Sequence, residues 1–96
     1  MIGSWRDTWL KEFFEEDKAS KHIPSDIRDR LFRRLQMLDD ATTEADLRIP
    51  LSNRFEHLKG KLKGLCSIRV NDRWRLVFAW KDGEATGVYL DDHSYR

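Results

Sequence analysis

The 96 residues carry 18 Lys/Arg against 17 Asp/Glu, a formal net charge of +1, with 40% hydrophobic residues that include four Trp and five Phe. A chain of this length holds one core rather than two, so residues 1–96 read as a single domain, and the apolar content argues against disorder. Cys66 is the only cysteine, which excludes an internal disulfide and a paired-cysteine zinc site. The start of the chain lacks the apolar run of a signal peptide, and no later stretch approaches the roughly 20 apolar residues of a membrane span; a cytoplasmic protein with no membrane partner is expected.

In chain order, residues 2–5 read as a short edge strand. Trp9, Leu10, Phe13 and Phe14 then fall at helical spacing with Lys11, Glu12, Glu15 and Glu16 turned outward, an amphipathic helix whose aromatic stripe is core. His22-Ile23-Pro24-Ser25 breaks the pattern. Ser25 is the expected N-cap of a second helix, with Asp26 and Asp29 near its positive end, and Ile27, Leu31, Leu35 and Leu38, widened by Phe32, form a stripe that runs to about Ala41. Residues 42–51 read as a connecting turn or short helix ended by Pro50.

Beyond Pro50 the period becomes two. Residues 54–58 read as a strand. Cys66, Ile68 and Val70 alternate with Ser67 and Arg69; after an Asn71-Asp72 turn, Trp74, Leu76, Phe78 and Trp80 alternate with Arg73, Arg75, Val77 and Ala79. Asp82-Gly83 marks a hairpin, after which Val88 and Leu90 alternate with Tyr89, Asp91 and His93. The predicted fold class is α+β, with two N-terminal helices packed on one face of a mainly antiparallel sheet.

The near-neutral total hides an uneven charge distribution. Residues 1–47 carry 8 Lys/Arg against 11 Asp/Glu, residues 48–81 carry 9 against 2, a local net of +7, and residues 82–96 carry 1 against 4. A basic block of this kind attracts phosphate, because the field that matters at contact acts within a Debye length of about 8–10 Å. If Ile68, Trp74, Leu76, Phe78, Val88 and Leu90 face the helices, the period of two gathers Ser67, Arg69, Arg73, Arg75, Tyr89, Asp91 and His93 on the opposite face. Directly opposed side chains lie about 4.5–5.5 Å apart at Cβ, within joint reach of one phosphate.

Cleaving RNA through its own 2′-hydroxyl needs a base, positive charge for the phosphorane and an acid for the departing 5′-oxygen. His93, Glu56 and His57 are proton carriers, while Arg75, Arg73, Arg69 and Lys59 can hold oxyanions, and the scheme requires no metal. Strict alternation sets His57 on the core side with Phe55 unless a bulge intervenes, so Glu56 is the residue expected to face the site. His22, His57, His93 and the Asp91-Asp92 pair lack the spacing of a dedicated metal site, and neither a Gly-rich phosphate loop nor a helix-turn-helix signature is present; no metal or other cofactor is expected.

These residues resemble a known family. Asn53-Arg54-Phe55-Glu56-His57-Leu58-Lys59-Gly60 looks like "NRLExLxG", the run from Ser67 to Leu76 looks like "SIRVNxxWRLxF", Asp91-Asp92-His93 resembles "DYH", and Leu38 to Thr42 resembles "LDxAT", all motifs of the HigB toxins of the RelE superfamily. The resemblance implies a microbial-RNase-like fold and a type II toxin that cleaves mRNA in the ribosomal A site. It also implies neutralisation by a HigA-type helix-turn-helix antitoxin, through which alone operator DNA would be contacted.

By the same resemblance Arg75 is the phosphate-stabilising arginine, His93 the terminal histidine, Asp91 the acid before it and Lys59 a lysine found in some members, while Glu56 stands where some members have His. Arg54, Arg69, Arg73, Trp74, Tyr89 and Asp92 are the candidates for holding substrate. Asp92 replaces the tyrosine of many relatives, which leaves the grip on a base to Trp74, Tyr89 or Tyr95, or implies weaker activity. His57 occupies a slot usually filled by Pro or Ala. The alternatives are a gyrase-poisoning toxin on the same fold and a non-catalytic protein that binds antitoxin or RNA.

Overall fold

The computed structural model describes residues 1–92, in which three helices pack against one face of a four-stranded antiparallel sheet of order β1-β2-β3-β4. Helix α1 (Thr8–Glu16) buries Leu10 and Phe13 and stops at Asp17, whose left-handed backbone (φ 56°) ends the hydrogen-bonded run. Helix α2 (Arg28–Asp40) buries Leu31, Leu35 and Leu38. Ser25 does not cap α2 with its side chain: after Pro24 it opens a 3-10 turn, Ser25–Ile27, whose last residue is the α2 N-cap. Asp29 does lie in the first turn, where the helix dipole favours a carboxylate. Phe32 is 40% exposed instead of widening the core stripe. It leans on Phe14 and Phe13, at ring separations of 5.5 and 6.4 Å.

The segment 42–51 holds a short helix, α3 (Glu44–Leu47), opened by a capping box. Thr43 Oγ1 accepts from the Asp46 backbone N–H at 3.4 Å, and Asp46 Oδ2 accepts from the N–H groups of Thr43 and Thr42 at 3.1 and 3.0 Å. Asn53, fully buried, secures the exit of this helix by donating from Nδ2 to the carbonyls of Leu47 and Ile49 at 3.1 and 3.4 Å.

The strand expected over residues 54–58 contracts to β1 (Glu56–His57). Arg54 adopts a left-handed backbone (φ 45°) that closes the 3-10 turn Leu51–Asn53, so the extended run cannot begin before Phe55. Strands β2 (Cys66–Arg69), β3 (Arg75–Lys81) and β4 (Glu84–Asp91) form the expected meander. The β2–β3 connection is wider than a tight Asn-Asp turn. Asn71 Oδ1 accepts from the backbone N–H groups of Arg73 and Trp74 at 2.9 and 2.7 Å, which leaves Trp74 ahead of β3. Asp82 and Gly83 both take positive φ, 52° and 80°, as the two central residues of a primed hairpin turn must.

Between Val77 and Ala79 the β3–β4 register shifts, so that Gly87 and Val88 stand opposite Phe78 alone. Gly87 takes φ 61°, a conformation open to glycine at little cost. The extra residue changes the phase of β4. Ala85 before it and Val88 and Leu90 after it therefore all reach the same core, with Ile68, Leu76 and Phe78. Residues 2–5 pair with β4 in parallel through two isolated bridges, Ile2 with Ala85 and Trp5 with Val88. The Gly3 and Arg6 N–H groups donate to the Ala85 and Val88 carbonyls at 2.7 and 3.0 Å.

Two outcomes follow from this packing. Leu31 is 0% exposed in the middle of the core, so Leu31→Ala should lose about 2–5 kcal/mol in chemical denaturation, and Phe32→Ala clearly less. The Thr42 and Thr43 backbone N–H groups hold the Asp46 carboxyl below its ordinary value of 3.8. The stability it supplies is present above that value and is lost as pH falls through the depressed folded one. Melting curves of Asp46→Asn should therefore lose less on acidification below pH 3.8 than those of the unmodified chain; parallel acid limbs would refute the assignment.

Candidate functional site

Antiparallel register, more than any single side chain, assembles the face of the sheet turned away from the helices. One row crosses all four strands as Glu56, Ser67, Val77 and Tyr89; the adjacent row crosses three as Arg69, Arg75 and Asp91. Side chains two apart on a strand share a face, so Ser67, Arg69, Arg75, Tyr89 and Asp91 lie together, while Arg73 falls in the β2–β3 connection ahead of β3. The centre of that face is closed: Ser67 and Val77 are 0% exposed and Arg75 only 7%. Glu56 is exposed at the rim. A cavity of about 250 Å³ opens here, lined by Arg54, Phe55, Glu56 and Arg75.

The electrostatics of the second row are uneven. Arg75 stands between Arg69 and Asp91, a like charge on one side and an opposite charge on the other, and directly opposed like charges repel. Arg69 forms an ion pair with Asp72 in the β2–β3 turn. Arg73 is exposed in the β2–β3 connection, its guanidinium carbon 5.5 Å from the centre of the half-buried Trp74 ring. Lys59 is exposed at the mouth of the 3-10 turn Gly60–Leu62, and Asp92 is exposed just past β4. His93 lies outside the described residues.

His57 faces the other way. It stands opposite Cys66, a core residue, and meets the Phe55 ring edge-on at 5.3 Å. Its Nε2 is 2.8 Å from Glu44 Oε1 on α3, and its Nδ1 is 3.4 Å from Cys66 Sγ. Strict alternation holds in β1, with no bulge to turn the imidazole toward Glu56 and Arg75. The contact joins α3 to the sheet edge. Glu44 also accepts from Arg48 Nη2 at 3.0 Å, and this hydrogen bond first, then the charge of His57, holds its carboxyl below the usual range. Burial, reinforced by the Glu44 charge, pushes the Cys66 thiol up.

Arg6 was not singled out in the sequence, yet its guanidinium carbon lies 4.1 Å from the centre of the Tyr89 ring, in the first row of the site face. No local pattern gives this. It depends on residues 2–5 pairing with β4, a contact between the two ends of the chain. A larger hollow of about 770 Å³ between α1 and α2, around Phe13, Phe14 and Phe32, contains none of the candidate residues.

Comparison with known proteins agrees with this architecture. The family model for the RelE-like toxin of type II toxin-antitoxin system HigB matches residues 3–93. Toxin HigB-1 of Vibrio cholerae is 57% identical over 95 residues, covering 99% of this chain and 100% of that protein. Endoribonuclease HigB of Proteus vulgaris is 33% identical over 93 residues, covering 97% and 99%. Among solved structures, a YafQ mutant from E. coli superposes with a TM-score of 0.63 over 99% of this chain and 97% of its own at 12% identity, a likeness of fold alone. With matches that run nearly end to end, the chain belongs to the HigB-like family of RelE-like toxins of type II toxin-antitoxin systems.

Proposed function

We propose that this toxin is an endoribonuclease that cuts mRNA in the ribosomal A site, is held inactive in the cytoplasm by a HigA-type helix-turn-helix antitoxin, and contacts operator DNA only through that antitoxin. The observation that carries the reading is the cavity shared by Glu56 and Arg75, with Asp91 in register beside the arginine. Endoribonuclease is also the activity in the name of the Proteus vulgaris relative.

In this reading the Glu56 carboxylate takes the proton of the substrate 2′-hydroxyl, whose oxygen attacks the adjacent phosphorus. The bond to the 5′-oxygen breaks, His93 supplies the proton to that oxygen, and the products are a 2′,3′-cyclic phosphate and a free 5′-hydroxyl. Charge accumulates on the non-bridging oxygens at mid-reaction. A buried guanidinium meets it well, because its planar donors bind two oxygens at once and the sheltered site weakens the field less than water does. Asp91 orients that guanidinium, and Lys59, Arg54, Arg69 and Arg73 neutralise neighbouring phosphates. Trp74 and Tyr89 offer rings to flanking bases, and Asp92 accepts a hydrogen bond from a base or ribose.

Dependence on the ribosome fits the size of the site. About 250 Å³ seats a phosphate group but is below the roughly 300–1,000 Å³ of pockets that enclose a ligand by themselves. Alignment of the codon by the ribosome would supply the positioning that the chain alone lacks.

Purified protein added to translating ribosomes should cut within codons. Arg75→Ala should slow single-turnover cleavage by about 10²–10³-fold, with Arg75→Lys restoring little, and Glu56→Gln by about 10²–10⁴-fold. His57→Gln, which disturbs the contact with α3, should leave the cleavage rate within a few-fold. Full activity of both Arg75→Ala and Glu56→Gln would end this proposal. A dead His57→Gln with intact Glu56→Gln would transfer the base role to the imidazole.

A further inference from the structure

Three guanidinium groups that the cutting chemistry does not use converge with that of Arg69. Arg30, Arg33 and Arg34 of α2 line a cavity of about 460 Å³ with Ser52, Val70 and Arg69 at the end of β2. The three helix arginines are spaced i, i+3 and i+4, one turn apart on one side, the arrangement in which like charges meet and repel. Arg34 is half-buried and its Nε donates to the Arg69 carbonyl at 3.0 Å, so it is fixed in place rather than free to swing away. Arg33 Nε bonds a backbone carbonyl, that of Asp29, at 3.3 Å.

Among the described residues, none of Arg30, Arg33 and Arg34 forms an ion pair. Asp72 pairs with Arg69, and its side chain is 95% exposed. Burial, and after it the charges of Arg30, Arg33 and Arg69, lower the pKa of Arg34. Arg34 and Arg69 are half-buried and Arg30 and Arg33 exposed around the same cavity, so an anion seated there would relieve the repulsion among them.

We propose that Arg30, Arg33, Arg34 and Arg69 form a second RNA-binding site, a cradle for the phosphodiester backbone at a point separate from the linkage that is cut. The inference rests on the reading that the chain acts on RNA. Two features favour a nucleic acid over an acidic protein segment. Val70 is the single apolar residue in the lining, whereas protein interfaces centre on apolar contact and nucleic-acid interfaces are polar and cationic. Arg69 also lies opposite Arg75 on the neighbouring strand, so the cradle begins one strand from the cutting site and can follow the same polyanion outward. Ser52 adds a hydroxyl of the kind that bonds phosphate oxygens.

The test reads binding without cleavage, using a short 2′-O-methyl oligoribonucleotide whose blocked hydroxyl cannot attack its own phosphate. Arg30→Gln with Arg33→Gln alters two exposed side chains, and an unchanged melting temperature will show the variant folded; Arg30→Gln alone serves if the pair is unstable. Fluorescence anisotropy between about 50 and about 200 mM salt should show affinity falling about tenfold and the salt slope dropping by about 0.7 per arginine removed. Lys11→Gln with Lys18→Gln removes the same charge elsewhere and should change affinity less than about twofold.

Equal losses in both pairs, or none in the arginine pair, would overturn the cradle. So would polyglutamate displacing the oligonucleotide more strongly than inorganic phosphate or unlabelled RNA, which would make the cavity a seat for an acidic protein segment. Arg75→Ala should keep the cradle-dependent binding. Failure of the cleavage proposal and failure of the cradle are therefore read in separate assays.

Discussion

An arginine on an inner strand of a sheet is an awkward residue to bury, and the arrangement of this protein turns on how that is done. β3 must give Leu76 and Phe78 to the core beneath the helices, so the intervening positions, Arg75 and Val77, are committed to the other face. A guanidinium removed from water is tolerated only where its charge and donors are met, and leaving it unmet costs several kcal/mol. The register sets Asp91 next to Arg75, and Arg69 pairs locally with Asp72 in the β2–β3 connection. Once those positions are fixed, the strand order carries Glu56 to the rim of the same cavity.

This dependence accounts for what could and could not be read from the chain. The stripes of α1 and α2, the Asp82-Gly83 hairpin and the shared face of Ser67, Arg69, Arg75, Tyr89 and Asp91 follow from periodicity and turn chemistry, which are local. His57 was legible in the same way, since its place beside Phe55 needs only alternation. Depth was not. A period of two says which side a residue faces but not what covers it, so the burial of Ser67, Arg75 and Val77 had no sequence signal.

The remaining departures are contests between local preferences or contacts across the chain. Ser25 can cap a helix, but the turn after Pro24 used it differently. Arg54 fits an extended pattern, but the left-handed end of a 3-10 turn claimed it. Phe32 fits the stripe of α2 and instead leans over α1 at the surface. Arg6 reaches Tyr89 because the first residues lie along β4, a pairing that spans most of the chain. Its basic side chain nevertheless adds to a site face already rich in arginine.

Cys66 gives the molecule a built-in reporter. It is the sole thiol, it is 3% exposed within the core, and its proton is held more tightly than usual, so alkylating reagents must wait for the chain to open around β2. The rate at which the intact protein accepts such a reagent is therefore a clock for native-state breathing at the sheet edge that carries Glu56. That clock needs no engineered label, and a bound protein partner that rigidifies this edge would slow it.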